Sequence, residues 1–222
     1  MNGIHEGYAM IPAVFGQEDI LRFQKEADRV AVREGSACVR HLRSKSRLFD
    51  ELATDPVLLA LLPEGMVPVR SILFDKTPDE NWPVAWHQDL TITTAEQKDT
   101  PGYGPWSFKD GAPHVQPPVE LLEGMVTIRL HLDDTPASNG ALMVVPGSHR
   151  HGKIPGTAVS DHVRDPVTCE CLAGDVLLMS PLILHSSKRS SEPRRRRIIH
   201  FEYARQDDLA PNLRWHESTL TA

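Results

Sequence analysis

With 222 residues, 40% of them hydrophobic and 24% charged, the chain holds enough apolar material for one sizeable core and reads as a single domain, 1–222. No apolar run approaches the roughly 20 residues of a membrane-spanning helix, and a net charge of −6 argues against a general nucleic-acid surface. Three cysteines, an odd number, make no disulfide framework, and the first residues lack the basic-then-apolar pattern of an export signal, so a reducing cytoplasmic setting is expected.

Taken in chain order, residues 17–34 place Ile20, Phe23, Ala27, Val30 and Ala31 at helical spacing with charges between them and Gly35 just beyond. A second helical patch covers 47–62, where Asp55-Pro56 reads as a cap followed by a first-turn proline. The helical N-terminal part, 1–65, is expected to buttress a sheet. From Val67 the pattern changes to short apolar runs at 67–75, 83–92, 121–133, 141–146, 167–172, 175–180 and 194–204. Seven strands without interleaved helices predict a mainly β fold, a jelly-roll or cupin-like barrel (a double-stranded β-helix) over 66–206. The Gly/Pro-rich stretch 94–120 is too long for a routine connection, and its aromatics Tyr103, Trp106 and Phe108 suggest a lid.

The chemistry gathers around Pro83-Val-Ala-Trp-His-Gln-Asp-Leu-Thr-Ile-Thr93. On a strand, His87 and Asp89 at i and i+2 point to one face, where an imidazole and a carboxylate converge. His185, at the end of the buried run 174–185, is the best third ligand, and two histidines with one carboxylate make the facial triad of non-haem Fe(II). Arg194-Arg-Arg-Arg197 follows. In an extended stretch Arg194 and Arg196 share one face, and an inward guanidinium suits a bidentate carboxylate. H-x-D, a distant His and an Arg about ten residues later resemble the Fe(II)/2-oxoglutarate dioxygenases.

The segment Asn139-Gly-Ala-Leu-Met-Val-Val-Pro-Gly-Ser-His149, after Leu132-Asp-Asp134, resembles the NGxLxVxPGSH hallmark of the phytanoyl-CoA dioxygenase family, and Trp86-His-Gln-Asp89 resembles its metal strand. The resemblance covers about 67–204. It implies an iron enzyme using 2-oxoglutarate and O2, with His87, Asp89 and His185 as metal ligands and therefore as the catalytic centre. By the same resemblance Arg196 anchors 2-oxoglutarate, with Ser187 and Ile72 as further cosubstrate contacts. A two-residue slip of register nominates Arg194, which has the same parity. Halogenases related to the family lack the carboxylate ligand, so Asp89 points to hydroxylation.

Where many relatives carry an inward tryptophan this chain has Arg129, and a buried arginine needs an anionic partner. That partner is a substrate carboxylate, 2-oxoglutarate, or an internal acid such as Glu202. His114, in the lid stretch, and Trp86 are assigned with Arg129 to the substrate side. His149, His131 and His200 are read as non-ligands. Two other classes compete: a cupin-like metal enzyme without 2-oxoglutarate, which has no need of an inward Arg196, and a non-catalytic small-ligand barrel, which has no need of a complete triad. A small or medium, anionic small-molecule substrate is expected, with neither its identity nor the oligomeric state legible.

Overall fold

A computed structural model describes residues 4–192 and 194–217. Its strands, in chain order, are β1 (Tyr8–Ile11), β2 (Cys38–Arg40), β3 (Met66–Lys76), β4 (Val84–His87), β5 (Ile92–Thr93), β6 (Trp106–Lys109), β7 (Ala112–Val115), β8 (Val126–His131), β9 (Leu142–Val144), β10 (Val167–Cys169), β11 (Val176–Met179), β12 (His185–Ser187) and β13 (Arg196–Arg205). They form a six-stranded sheet in the order β1-β11-β8-β13-β3-β2, a four-stranded sheet β10-β9-β12-β4 and a three-stranded sheet β5-β7-β6. All pairings are antiparallel. Strands far apart in sequence lie side by side, as a jelly-roll requires: β12 pairs with β4 so that His185 and His87 are direct cross-strand partners.

The alternation of a strand decides what faces where. Along β13 the odd-numbered Ile199, Phe201 and Tyr203 pack outward with Leu73, Ile128 and Leu130 into the largest apolar cluster. The even-numbered Arg196, Ile198, His200 and Glu202 face the other way, into a cavity between the two larger sheets. The outer face is covered by α1 (Gln17–Glu34), whose Ile20, Phe23, Ala27 and Val30 are buried and which ends on Gly35 in the left-handed conformation. α2 (Leu42–Lys45), α3 (Arg47–Ala53) and α4 (Pro56–Leu59) continue this layer. The helical patch at 47–62 is thus two helices, parted where the Asp55 side chain caps the Val57 N–H and Pro56 opens the second.

Three expectations shift. The run 121–133 begins as a helix, α5 (Val119–Gly124), because Pro117-Pro118 followed by leucines and glutamates favours a helical turn before the β-branched Val126-Thr-Ile128 starts β8. The run 83–92 is split: β4 stops at His87, and Asp89 lies beyond it, its N–H donating to the Pro181 carbonyl at 2.9 Å. The 94–120 stretch is not an open loop. A hairpin β6–β7 turns at Asp110-Gly111, both at positive φ, pairs with β5, and buries Val115 against Ile92 and Trp215.

Gly174 is required where the chain passes Phe15. It adopts φ +97°, its carbonyl accepts the Val14 and Phe15 N–H groups, and a Cβ there would lie 2.4 Å from the Phe15 carbonyl oxygen. Gly174→Ala is expected to cost about 2 kcal/mol and lower the melting temperature by roughly 4–8 °C; an unchanged melting curve would show that this approach is slack.

Candidate active site

His87, Asp89 and His185 offer one ligand atom each, all within 4.8 Å of one another. Nε2 of His87 is 3.8 Å from one Asp89 oxygen and Nε2 of His185 is 3.6 Å from the other. The two rings are tilted, with centroids 4.2 Å apart. Parity explains the motif: His87 points into the cavity, whereas Gln88, next to it, points away and ties the segment down. Gln88 Nε2 donates to the Gly152 and Leu182 carbonyls, and its Oε1 accepts from the Ile154 N–H.

The tautomers follow from the backbone. His87 Nδ1 lies 2.8 Å from the Ala85 carbonyl oxygen and His185 Nδ1 2.9 Å from that of Ile183. A carbonyl only accepts, so each Nδ1 carries the hydrogen and each Nε2 presents a lone pair. Two lone pairs and a carboxylate then face one another with no hydrogen between them, a mutually repulsive arrangement that a divalent cation relieves. The donor set therefore fits a metal of the iron type. Burial drives the His185 ring down to about 4 despite Asp89, which favours the neutral, ligating form. Burial alone would raise the Asp89 carboxyl, but in the metal-free site the charged forms of His185, His200 and His87, together with Arg70, outweigh it and hold it below the usual carboxylate range.

Asp89, His200 and Glu202 also lie within 4.8 Å of one another. Arg129 Nη1 approaches His200 Nδ1 at 3.1 Å, and a guanidinium can only donate. His200 Nδ1 therefore accepts, and its Nε2–H donates to Glu202 Oε1 at 3.2 Å. With its hydrogen on Nε2, His200 has no lone pair left for a metal.

The cavity, about 210 Å³, is walled by both sheets, and its most telling feature is charge. Arg40 pairs with Asp110 of the β6–β7 turn at 2.6 Å, and Arg70 pairs with Glu202 at 3.1 Å. Lys76, Arg129 and Arg196 have no carboxylate in ion-pair range among the described residues. Lys76 and Arg196 are cross-strand partners, both buried. Burial, then the neighbouring arginines, pushes the Lys76 amine down to about 8; burial, then Arg129, brings Arg196 to about 10. Lys76 donates to the Trp82 carbonyl and stands 4.5 Å above its ring, while Arg196 donates to the Gly140 carbonyl. Unpaired buried cations side by side are costly unless an anion joins them.

Of the residues singled out from the sequence, His87, Asp89, His185, Arg196, Ser187, Ile72 and Arg129 all line this cavity. Arg194 is exposed and precedes β13, so the register places Arg196, not Arg194, on the wall. The outward arginines are not simply solvated. Arg197 forks onto Asp133 and reaches Asp28, and Arg195 forks onto Asp75. Glu202 serves Arg70, not Arg129. Two of the singled-out residues lie away from the cavity wall. Trp86 adjoins His87 on one strand, so it faces the opposite side, packed with Val145, Ile154 and Leu184. His114, on β7 in the small sheet, is wholly buried and does not line the cavity. Lys76 lies one residue past the apolar run 67–75, and its parity with Ile72 and Phe74 is the signal in the sequence that marks it as inward.

His131 faces inward and is buried, its Nδ1 3.0 Å from the Thr135 hydroxyl; burial, then Arg129 and Arg196, lowers it to about 3 from 6.5. The unfolded chain takes up this proton first as pH falls. The stability tied to neutral His131 is therefore complete above pH 6.5 and lost progressively between 6.5 and about 3. His131→Gln should flatten that acid limb in urea unfolding measured across the range; an identical pH profile would count against a neutral native His131.

A family model described as phytanoyl-CoA dioxygenase (PhyH) matches residues 4–198. The chain belongs to that family. No protein with a curated description matches it. Among solved structures it is similar to the epimerase SnoN from nogalamycin biosynthesis, in complex with Fe3+, alpha ketoglutarate and nogalamycin RO. The TM-score is 0.70 at 21% identity, over 91% of this chain and 80% of that one. HygX from Streptomyces hygroscopicus, with nickel and 2-oxoglutarate bound, gives 0.66 at 18%, over 90% and 83%. The apo form of EctD from S. alaskensis gives 0.69 at 18%, over 92% and 75%. These likenesses establish the jelly-roll fold.

Proposed function

We propose that this PhyH-family protein is an Fe(II)- and 2-oxoglutarate-dependent dioxygenase that hydroxylates a C–H bond of a small organic substrate. The observation that carries it is the pairing, across one cavity, of a His/His/Asp cluster whose facing atoms carry no hydrogen with two adjacent buried cations that have no carboxylate partner among the described residues. His87, Asp89 and His185 would hold the metal, and three protein ligands leave positions for cosubstrate and oxygen. Arg196 and Lys76 would hold the far carboxylate of 2-oxoglutarate, with Ser187 and Ile72 on the adjoining wall.

Held by these residues, iron and 2-oxoglutarate would supply the oxidising power for the reaction, with succinate and CO2 as the coproducts and O2 as the source of the inserted oxygen. The chain's own part is positional. The Ala85 and Ile183 carbonyls fix the two imidazole tautomers, and Gln88 pins the segment between His87 and Asp89. Asp89 supports hydroxylation over halogenation, because a carboxylate fills the position a halide would need. A metal enzyme that dispensed with 2-oxoglutarate would gain nothing from burying Lys76 beside Arg196. The test is oxygen-dependent formation of succinate from 2-oxoglutarate by the iron-loaded protein. Succinate release in step with O2 uptake is expected, and its absence from protein with stoichiometric iron would overturn the proposal.

A further inference from the structure

Three cations on the cavity wall lack a carboxylate partner among the described residues, and 2-oxoglutarate would account for only two of them. Its far carboxylate would lie between Arg196 and Lys76, and its other carboxylate would go to the metal. Arg129 is left over. On β8 it is the cross-strand partner of His200, four residues along β13 from Arg196, a span of roughly 14 Å between backbone positions.

Its guanidinium is held as a receptor would be. The group lies 5.4 Å from the Phe74 ring, with one Nη donating to His200. His200 is locked in turn by Glu202, and Glu202 by Arg70. Its Nε is buried and has no hydrogen-bond partner among the described residues. A fixed, desolvated guanidinium with an unused N–H is preorganised for a planar or tetrahedral oxyanion. Phe74, Ile72 and Ile198 provide apolar wall around it.

We infer that Arg129 receives an anionic group of the primary substrate, a carboxylate or a phosphate, and that His200 and Glu202 are positioning residues acting through it. The substrate is therefore an organic acid or phosphate ester with an apolar body, bound beside the metal triad at the same time as 2-oxoglutarate. This rests on the reading of the cavity as a metal and 2-oxoglutarate site.

The test uses the nickel-loaded, 2-oxoglutarate-bound protein, titrated calorimetrically with acetate, inorganic phosphate and neutral acetamide. Acetate or phosphate should bind and acetamide should not, and the stronger of the two anions identifies the headgroup. In Arg129→Gln the anion affinity should fall about tenfold or more, while 2-oxoglutarate affinity moves less than about threefold. Arg129→Lys should retain part of the anion affinity, and His200→Ala should lower it with 2-oxoglutarate affinity intact, an effect that a role in packing alone would not produce. The inference fails if the wild type binds neither anion, if acetate binds equally to wild type and Arg129→Gln, or if Arg129→Gln weakens 2-oxoglutarate binding tenfold and so assigns Arg129 to the cosubstrate. A wild type that takes up nickel but not 2-oxoglutarate overturns the parent reading, which is a separate and recognisable result.

Discussion

Arg196→Leu is expected to weaken 2-oxoglutarate binding about a hundredfold, close to 3 kcal/mol, the scale seen when one partner of a buried, hydrogen-bonded charge pair is removed. Arg196→Lys should recover only part of this, because an ammonium cannot form the two-pronged contact of a guanidinium. Lys76→Met should cost less, about tenfold, since Lys76 supplies one point charge beside the fork. The same substitutions should leave the melting temperature of the metal-free protein unchanged or raised. Burial and a neighbouring cation already disfavour the charged forms of both residues, so removing one relieves the other. Calorimetric titration and thermal melting separate the two effects. A variant that binds 2-oxoglutarate as tightly as wild type would contradict the cosubstrate role, and one that melts far lower would make Arg196 a structural residue.

The second large effect is expected at Asp89. It is the one anion among three ligand groups that otherwise offer neutral nitrogen lone pairs, so its charge both attracts a divalent cation and offsets the cavity's excess of positive charge. Asp89→Ala should lower Fe(II) affinity by at least about a hundredfold, more than the loss typical of removing a group that only orients a ligand. It should also leave the fold intact, because Asp89 is tied to the rest of the chain through its backbone N–H to Pro181 rather than through a structural ion pair. Metal content after dialysis against iron reports the outcome. Stoichiometric iron in the variant would remove Asp89 from the ligand set.

Much of this was legible in the sequence, for local reasons. The spacing of His87 and Asp89, the buried run leading to His185, and the parity of Arg196 are properties of short segments whose geometry the backbone dictates. The same rule of alternation, applied one residue further, places Trp86 on the outer face and Lys76 on the inner one. What the sequence does not show is pairing between distant strands. That Glu202 is claimed by Arg70 and His200, leaving Arg129 unpaired, depends on the register of β13 against β3 and β8. The stretch 94–120 reads as loop because its β-strands are four residues each and interrupted by glycine and proline. Pairing of β7 with β5 and packing against Trp215 complete it as a sheet.

The central claim, that one cavity holds both a metal on His87, Asp89 and His185 and 2-oxoglutarate on Arg196, is tested most directly by anaerobic titration of the metal-free protein. Fe(II) is added first and 2-oxoglutarate second, while the visible absorption of the iron–oxoacid chelate is followed. The band should appear only when both are present, saturate at one equivalent of iron, vanish in His87→Ala, and require much more 2-oxoglutarate in Arg196→Leu. A wild type that shows no band with iron bound, or a His87→Ala variant that retains it, would contradict the assignment.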